Sequence, residues 1–303
     1  MLRVEKLTKN YGKKQVLNSV DLTVYEGEVF GFLGRNGAGK STFINILTGL
    51  AQPTSGSVTF FNNEQLSNDV KKRIGVLPDY SMFYNHLNAI EHLRYFAEIS
   101  GKKVSKAEAQ AILTKVGLKD DSRTKVGKYS FGMKKKLGFA QAVVHDPDFI
   151  FLDEPTSGVD AESAIVLQDF IRALQKQGKT IFLTSHNLSE IEKLCSRIAI
   201  LKDGIITKIG TIHELKTNDT NEMHVRIKHG AISQNAKDAW FDQLSAFAPI
   251  VEHKPQFTTV QIHDEQQNAE ILRCFHRFDI PVYRFDIEEK SLEEIFIGNK
   301  QVG

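Results

Sequence analysis

The stretch Val29-Phe30-Gly31-Phe32-Leu33-Gly34-Arg35-Asn36-Gly37-Ala38-Gly39-Lys40-Ser41-Thr42 runs from a short apolar segment through a glycine-rich turn into a helix beginning near Ser41. From Gly34 onward it fits the spacing G-x-x-x-x-G-K-[ST] of a phosphate-binding loop. Each part of that spacing has a physical purpose. Glycines let the backbone wrap closely around a polyphosphate, so that successive N–H groups point inward as a nest. The start of the helix adds partial positive charge, worth up to about 2 kcal/mol toward an anion in favourable geometry. Lys40 is placed to reach the β- and γ-phosphates, and the Ser41 hydroxyl to ligate Mg2+. The residues from Gly34 to Thr42 are therefore candidate nucleotide-binding residues as a block. The G-x-G-x-x-G spacing of a dinucleotide fold is not met.

Outward from this loop, strand-like and helix-like segments alternate, the pattern of an α/β domain with a largely parallel sheet. Phe149-Ile150-Phe151-Leu152 reads as a second buried strand and Thr180-Ile181-Phe182-Leu183-Thr184 as a third. Between them Ile165, Leu167, Phe170, Ile171 and Leu174 recur at helical spacing, and Gly178 stands where a C-terminal cap belongs. Arg197 to Ile206 reads as a hairpin turning at Asp203-Gly204. Residues 88–145 read as a helical insertion. The second apolar strand runs into Asp153-Glu154, which puts two carboxylates at the sheet's C-terminal edge, beside the phosphate loop of an adjacent strand. Asp153 there suits a Mg2+ held through water, and Glu154 suits a base for an attacking water.

Polar residues 216–222 mark a boundary. Beyond it the pattern gives strand (His224–Lys228), helix (Gln234–Phe247), strand (Ile250–Lys254), strand (Thr258–His263), helix (Glu265–Phe278) and strand (Val282–Ile287). That order is βαββαβ, the ferredoxin-like split unit. A last short helix is expected from Ser291, with Glu294 completing a capping box. The expected architecture is an α/β phosphate-loop domain over residues 1–218, with a helical subdomain at about 80–147, and a small α+β domain over 219–303.

The 303 residues carry a formal net charge of +2, which gives no reason to expect nucleic acid as a partner. The run Lys134-Lys135-Lys136 reads as a solvated helix face. Cys195 and Cys274 lie far apart without metal-ligand spacing, as expected of reduced thiols serving as small hydrophobes. The first residues lack the apolar stretch of a signal peptide, and no run of about 18 apolar residues, the length that spans a bilayer, occurs in the sequence.

With these residues in place, the chain resembles ATP-binding cassette (ABC) transporter ATPase subunits over about residues 1–218. Tyr11 stands where that family stacks an aromatic on adenine. Asp79, in Gly75-Val76-Leu77-Pro78-Asp79, stands at the loop that usually carries glutamine, and the resemblance makes it a third residue serving the metal, beside Ser41 and Asp153. Tyr129-Ser130-Phe131-Gly132-Met133 stands at the place of the signature L-S-G-G-Q; Ser130 and Gly132 are kept, and Phe131 narrows the loop's freedom because only glycine takes φ > 0 cheaply. Gly158-Val159-Asp160 resembles the loop that crosses to the other subunit, and His186 the histidine that contacts γ-phosphate.

The resemblance implies an ATP-binding and ATP-hydrolysing subunit with Mg2+ as cofactor. It also implies a second ATP-binding subunit, a copy or a close relative, and a polytopic membrane permease. The stretch Asp79 to Tyr84, with Tyr80, Met82 and Phe83, is the expected docking surface for that permease, on a chain lying peripherally at the cytoplasmic face of the membrane. The single cassette and the ending Ser291-Leu292-Glu293-Glu294-Ile295-Phe296 resemble drug-resistance, bacteriocin-immunity and sodium-efflux exporters. The alternative is a soluble ABC ATPase of translation or DNA repair, whose members carry two cassettes, coiled-coil arms or zinc modules. A regulatory ligand for the C-terminal domain is a third reading, by fold analogy alone.

Overall fold

Apolar runs too short for helices and flanked by turn residues form the strands on which the site is built. A computed structural model describes residues 1–79, 82–217, 223–234, 236–264, 266–288 and 292–293. The chain divides into two compact units, Met1–Ile212 and His213–Gly303. In the first, β1 (Leu2–Tyr11), β2 (Lys14–Val24), β3 (Val29–Gly34), β4 (Ser55–Phe60), β5 (Glu64–Gln65) and β6 (Ile74–Leu77) come before the helical region. β7 (Phe149–Asp153), β8 (Thr180–Thr184), β9 (Arg197–Lys202) and β10 (Ile205–Thr211) follow it. The helices are α1 (Lys40–Leu47), α2 (Asn68–Lys72), α3 (Ala89–Ile99), α4 (Lys106–Lys115), α5 (Phe131–Val143), α6 (Ala161–Lys176) and α7 (Leu188–Leu194), with α8 (Ile212–Thr217) at the boundary between the units.

Two sheets share the first unit. An antiparallel one has the order β2-β1-β4-β5, and a mainly parallel one the order β10-β9-β3-β8-β7-β6. This order corrects one expectation. β7, which ends in Asp153, is not the neighbour of β3; β8 lies between them and pairs in parallel with both. The register sets Thr184 beside Phe32 on one side and beside Asp153 on the other.

Aromatic side chains fill the space under this edge. The Phe182 ring lies 5.9 Å from Phe30, 5.3 Å from Phe32, 6.1 Å from Phe43 and 5.5 Å from Phe151, centre to centre, and all five residues are fully buried. β3, β7 and β8 are buried along their whole length, as a parallel sheet covered on both faces requires. In α6 the core face is Leu167, Phe170, Ile171 and Leu174; Ile165, assigned to that face by its spacing, is 59% exposed. Capping boxes start α3 at Asn88 and α4 at Ser105.

In the second unit β11 (Met223–His229), α9 (Lys237–Ser245), β12 (Ile250–Lys254), β13 (Phe257–Ile262), α10 (Gln267–Arg277) and β14 (Val282–Glu288) form a four-stranded antiparallel sheet of order β12-β13-β11-β14. That is the split βαββαβ topology. Trp240, Leu244, Ile271, Cys274 and Phe275 pack on Val225, Ile227, Val260 and Ile262. On α10 the buried residues are Ile271, Cys274 and Phe275, and Leu272 is exposed. The Ser291/Glu294 capping box lies outside the described residues.

The central position of Phe182 fixes an expectation for stability. Phe182→Ala should lower the unfolding free energy of the cassette by about 3–5 kcal/mol, as for other buried phenylalanines. Ile165→Ala, on the solvent side of α6, should change it by less than about 0.5 kcal/mol. Urea unfolding of the full chain, followed by circular dichroism, reads both.

Candidate nucleotide-binding site

β3 runs buried to Gly34, and the chain then turns through Arg35, Asn36 and Gly37, all exposed, before Ala38 and Gly39 return under cover. Gly37 and Gly39 take φ of +83° and +112°, conformations that a side chain makes costly. A Cβ on Gly39 would also stand 3.0 Å from the Val16 carbonyl oxygen. Gly39 is the residue before α1, whose first turn presents Lys40, Ser41 and Thr42. The Lys40 ammonium folds back over the loop and donates to the carbonyl oxygens of Gly34 at 2.5 Å and Arg35 at 3.3 Å. Burial lowers its pKa, against the opposing pull of the Glu154 and Asp153 carboxylates.

The ends of β7 and β8 hold those carboxylates. Asp153 is buried and accepts a hydrogen bond from the Thr184 hydroxyl at 2.5 Å on Oδ1, which leaves Oδ2 for another partner. Burial raises the pKa of Asp153, and the Asp79 and Glu154 charges add to that; the Thr184 hydrogen bond and the Lys135 charge act against it. Glu154 has a left-handed backbone, φ +52°, uncommon outside glycine. Its N–H donates to the Thr184 carbonyl and hydroxyl oxygens, both at 3.2 Å. Its Oε2 accepts from His186 Nδ1 at 2.7 Å, so that ring nitrogen carries the proton.

Lys135, on α5, corrects the expectation of a solvated lysine face. It is 5% exposed, and its ammonium donates to the carbonyl oxygens of Asp79 at 3.2 Å and Asp153 at 3.3 Å, with the Asp79 carboxylate 3.6 Å away. The clue in the sequence is its helical register. Phe139 and Ala142, four and seven residues on, are buried core positions of the same helix stripe. Thr184 and Glu190 are further residues the sequence reading passed over. Glu190 is buried and ties the two loops after β7 and β8, accepting from Thr156 Oγ1 at 2.8 Å and Ser185 Oγ at 2.7 Å.

The remaining candidates lie on other elements. Ser130 caps α5, accepting from the Met133 N–H. Asp160 caps α6, accepting from the Ser163 N–H at 2.8 Å and hydroxyl at 2.6 Å. Gly132 faces the Gly158-Val159 backbone, and a Cβ built on it would stand 3.8 Å from that segment. Tyr11 is exposed at the tip of the β1–β2 hairpin, with the Lys9 ammonium 4.8 Å from its ring centre. Of the expected docking stretch, Tyr80 lies outside the described residues. Met82 is 92% exposed; Tyr84 stacks with Phe96 and meets Tyr95 edge-on, and the Phe83 ring is tilted against His92.

Comparison with known proteins gives the family. The family model for ABC transporters matches residues 17–157, and the model for the C-terminal domain of DrrA1-3-like ATP-binding proteins matches residues 210–299. The bacitracin transport ATP-binding protein BcrA of Enterococcus faecalis is 33% identical over 304 residues, covering 98% of this chain and 95% of its own. The chain belongs to the ATP-binding subunits of ABC transporters. A fluoroquinolones export ATP-binding protein of Mycobacterium tuberculosis is 40% identical over 220 residues, 71% of this chain and 72% of its own. The ABC cassette fold is shared with a solved dimeric post-hydrolysis state of the cassette MJ0796 bound to ADP and Pi, with a TM-score of 0.65 and 23% identity over 70% of this chain and 99% of that one. As an ABC cassette the chain is an ATPase subunit, and such cassettes work in pairs with transmembrane permeases. Among the described residues no helix is long and apolar enough to cross a membrane.

The electrostatics of the strand ends give a pH-dependent expectation. Because the fold raises the Asp153 pKa, the stability this carboxyl contributes is full below its ordinary value of 3.8 and is lost as pH rises through the higher native value. At neutral pH its charge is thus a cost to the nucleotide-free cassette. Asp153→Asn keeps an acceptor for Thr184 and should melt at a higher temperature than wild type at pH 7, with the gap closing as pH falls toward 4. Calorimetry across that range tests it; a lower melting temperature for the variant at pH 7 would contradict the assignment.

Proposed function

We propose that this chain is the motor subunit of an ABC exporter, binding ATP between two cassettes and passing their closure to a separate permease at the cytoplasmic face of the membrane. The observation that carries the export reading is the extent of the similarity. It spans 98% of the chain, C-terminal unit included, in a relative named for bacitracin transport.

The site residues support a specific division of labour. The backbone N–H groups of Gly34 to Gly39 and the Lys40 ammonium hold the β- and γ-phosphates, while Tyr11 stacks on the adenine. Hydroxyl and carboxylate oxygens are the donors Mg2+ prefers, and Ser41 with Asp153, acting through water, fits that preference; Asp79 is a further ligand or holds a ligand water. Mg2+ held by these residues would supply charge neutralisation at the phosphate oxygens. Glu154 takes a proton from the attacking water as its oxygen bonds to the γ-phosphorus and the bond to the bridging oxygen of ADP breaks. His186 holds Glu154 in place and reaches toward the γ-phosphate. Ser130, Gly132 and Asp160 serve the nucleotide on the facing subunit, so two ATP molecules lie between two cassettes.

Glu154→Gln should lower kcat by about 10²–10⁴-fold while ATP binding persists, the range expected for loss of a general base. Purified with Mg-ATP from detergent-solubilised native membranes, the same variant should bring a polytopic membrane protein in stoichiometric amount, identified by mass spectrometry. Recovery of ribosomal or DNA-repair proteins with no membrane partner would replace the exporter reading with that of a soluble ABC ATPase. Asp79→Asn and Asp79→Ala should both raise the Mg2+ concentration needed for half-maximal turnover, and unchanged values would remove Asp79 from the metal site.

A further inference from the structure

Lys135 is the one described lysine whose side chain is held almost wholly out of water beside the nucleotide site, and the roles proposed above do not use it. Taking an ammonium from water is costly unless hydrogen bonds and an opposite charge replace its hydration. Here that compensation comes from two strand ends. The Asp79 carbonyl and carboxylate follow β6, and the Asp153 carbonyl closes β7. The lysine itself comes from α5, whose cap and first turn are Ser130 to Gly132. One side chain therefore fastens the helix that presents Ser130 to the strand ends that present Asp79 and Asp153.

We propose that Lys135 is a positioning residue for the hydrolytic reaction, and the inference rests on the nucleotide-site roles given above. It holds the Asp79 carboxylate at the strand edge and fixes α5 relative to β6 and β7. The loop at the start of α5, which serves the nucleotide of the facing subunit, is thereby set by the residues that serve this subunit's own nucleotide. Lys135 acts through Asp79, the Asp153 backbone and α5. A purely structural lysine would be replaceable by any side chain that fills its volume; a positioning lysine would not.

The test uses the full chain. Lys135→Met keeps an unbranched apolar stem one atom shorter than lysine and removes its charge and donors. The expected result is ADP affinity within about 3-fold of wild type and kcat lower by about 10–100-fold with KM little changed, the pattern of an interaction that matters to the transition state. In a Glu154→Gln background, Lys135→Met should also raise the ATP concentration for half-maximal dimerisation by about 10-fold, read by light scattering, since the facing loop is no longer fixed. Asp79 is half-exposed, so Asp79→Asn loosens the same tie without emptying the buried site; it should lower kcat in the same direction, by less. Because the two residues act as a unit, the double variant should match Lys135→Met within about 2-fold.

Turnover and dimerisation unchanged in Lys135→Met would overturn the inference while leaving the ATPase roles intact. So would Lys135→Met and Asp79→Asn effects that multiply. If Lys135→Met does not fold, undiminished kcat in Asp79→Asn overturns it equally. If the unmodified chain neither hydrolyses ATP nor, as Glu154→Gln, dimerises with it, the proposed roles fall and this inference with them.

Discussion

The hydrogen bond from Thr184 to Asp153 is the contact on which the arrangement of the site depends. A carboxylate at the end of a fully buried strand is unfavourable unless something donates to it. β8 can supply that donor because it lies between β3 and β7, with Thr184 in register with Asp153. The same residue receives the Glu154 N–H on both its carbonyl and hydroxyl oxygens. Two bonds to one neighbour compensate for the left-handed backbone at Glu154, a conformation that for most residues costs of order 1–3 kcal/mol. The turn produced there sends the Glu154 carboxylate toward His186 rather than along the strand.

Such an arrangement is useful only if it does not relax when charge moves. Charge stabilisation in a site is strongest when donors and acceptors are held in place beforehand, because no reorganisation is then needed at the moment of reaction. The five phenylalanines under the strand ends provide that rigidity. Their rings pack at 4.7–6.1 Å across β3, α1, β7 and β8, the elements that end or begin at the site. Asp153 shows the opposing side of the same design, since its charge is disfavoured by the burial that holds it still.

What could be read from the sequence was what repeats locally. The phosphate loop lies within one strand, one turn and one helix, so spacing alone locates Gly34 to Thr42. The βαββαβ order of the C-terminal unit follows from periodicities of 2 and 3.6 in consecutive segments. Strand order was different. Nothing in Phe149 to Glu154 says that β8, about thirty residues further on, inserts between it and β3, because that order is set by crossover connections rather than by local pattern. Lys135 was misread for a related reason. Charge favours solvent in the absence of partners, and its partners, Asp79 and Asp153, come from strands distant in the chain. Ile165 reads as part of a core face by its spacing but lies in solvent, because single apolar residues at the surface are common and an apolar residue near a helical stripe is no guide to exposure.

Two of the departures from the family pattern, Phe131 and Asp79, look different once their neighbours are known. Phe131 stands where the signature has glycine, and the concern was a conformation that only glycine takes cheaply. Phe131 is the first residue of α5 and does not have positive φ, so no such conformation is demanded of it. Its ring lies instead over Gly158, where an added Cβ would stand 2.3 Å from the ring carbon Cε1. Gly158 is held to glycine by its φ of +74°, and a side chain there would also displace the exposed Phe131 ring. Asp79 brings a full negative charge where the pattern has a neutral amide, and the Lys135 ammonium is 3.6 Å from that carboxylate. In each case the unusual side chain is matched by a residue far away in the chain. A departure that would disable the site in isolation is accommodated by the pair, so the two sites are better judged by their contacts than by their letters.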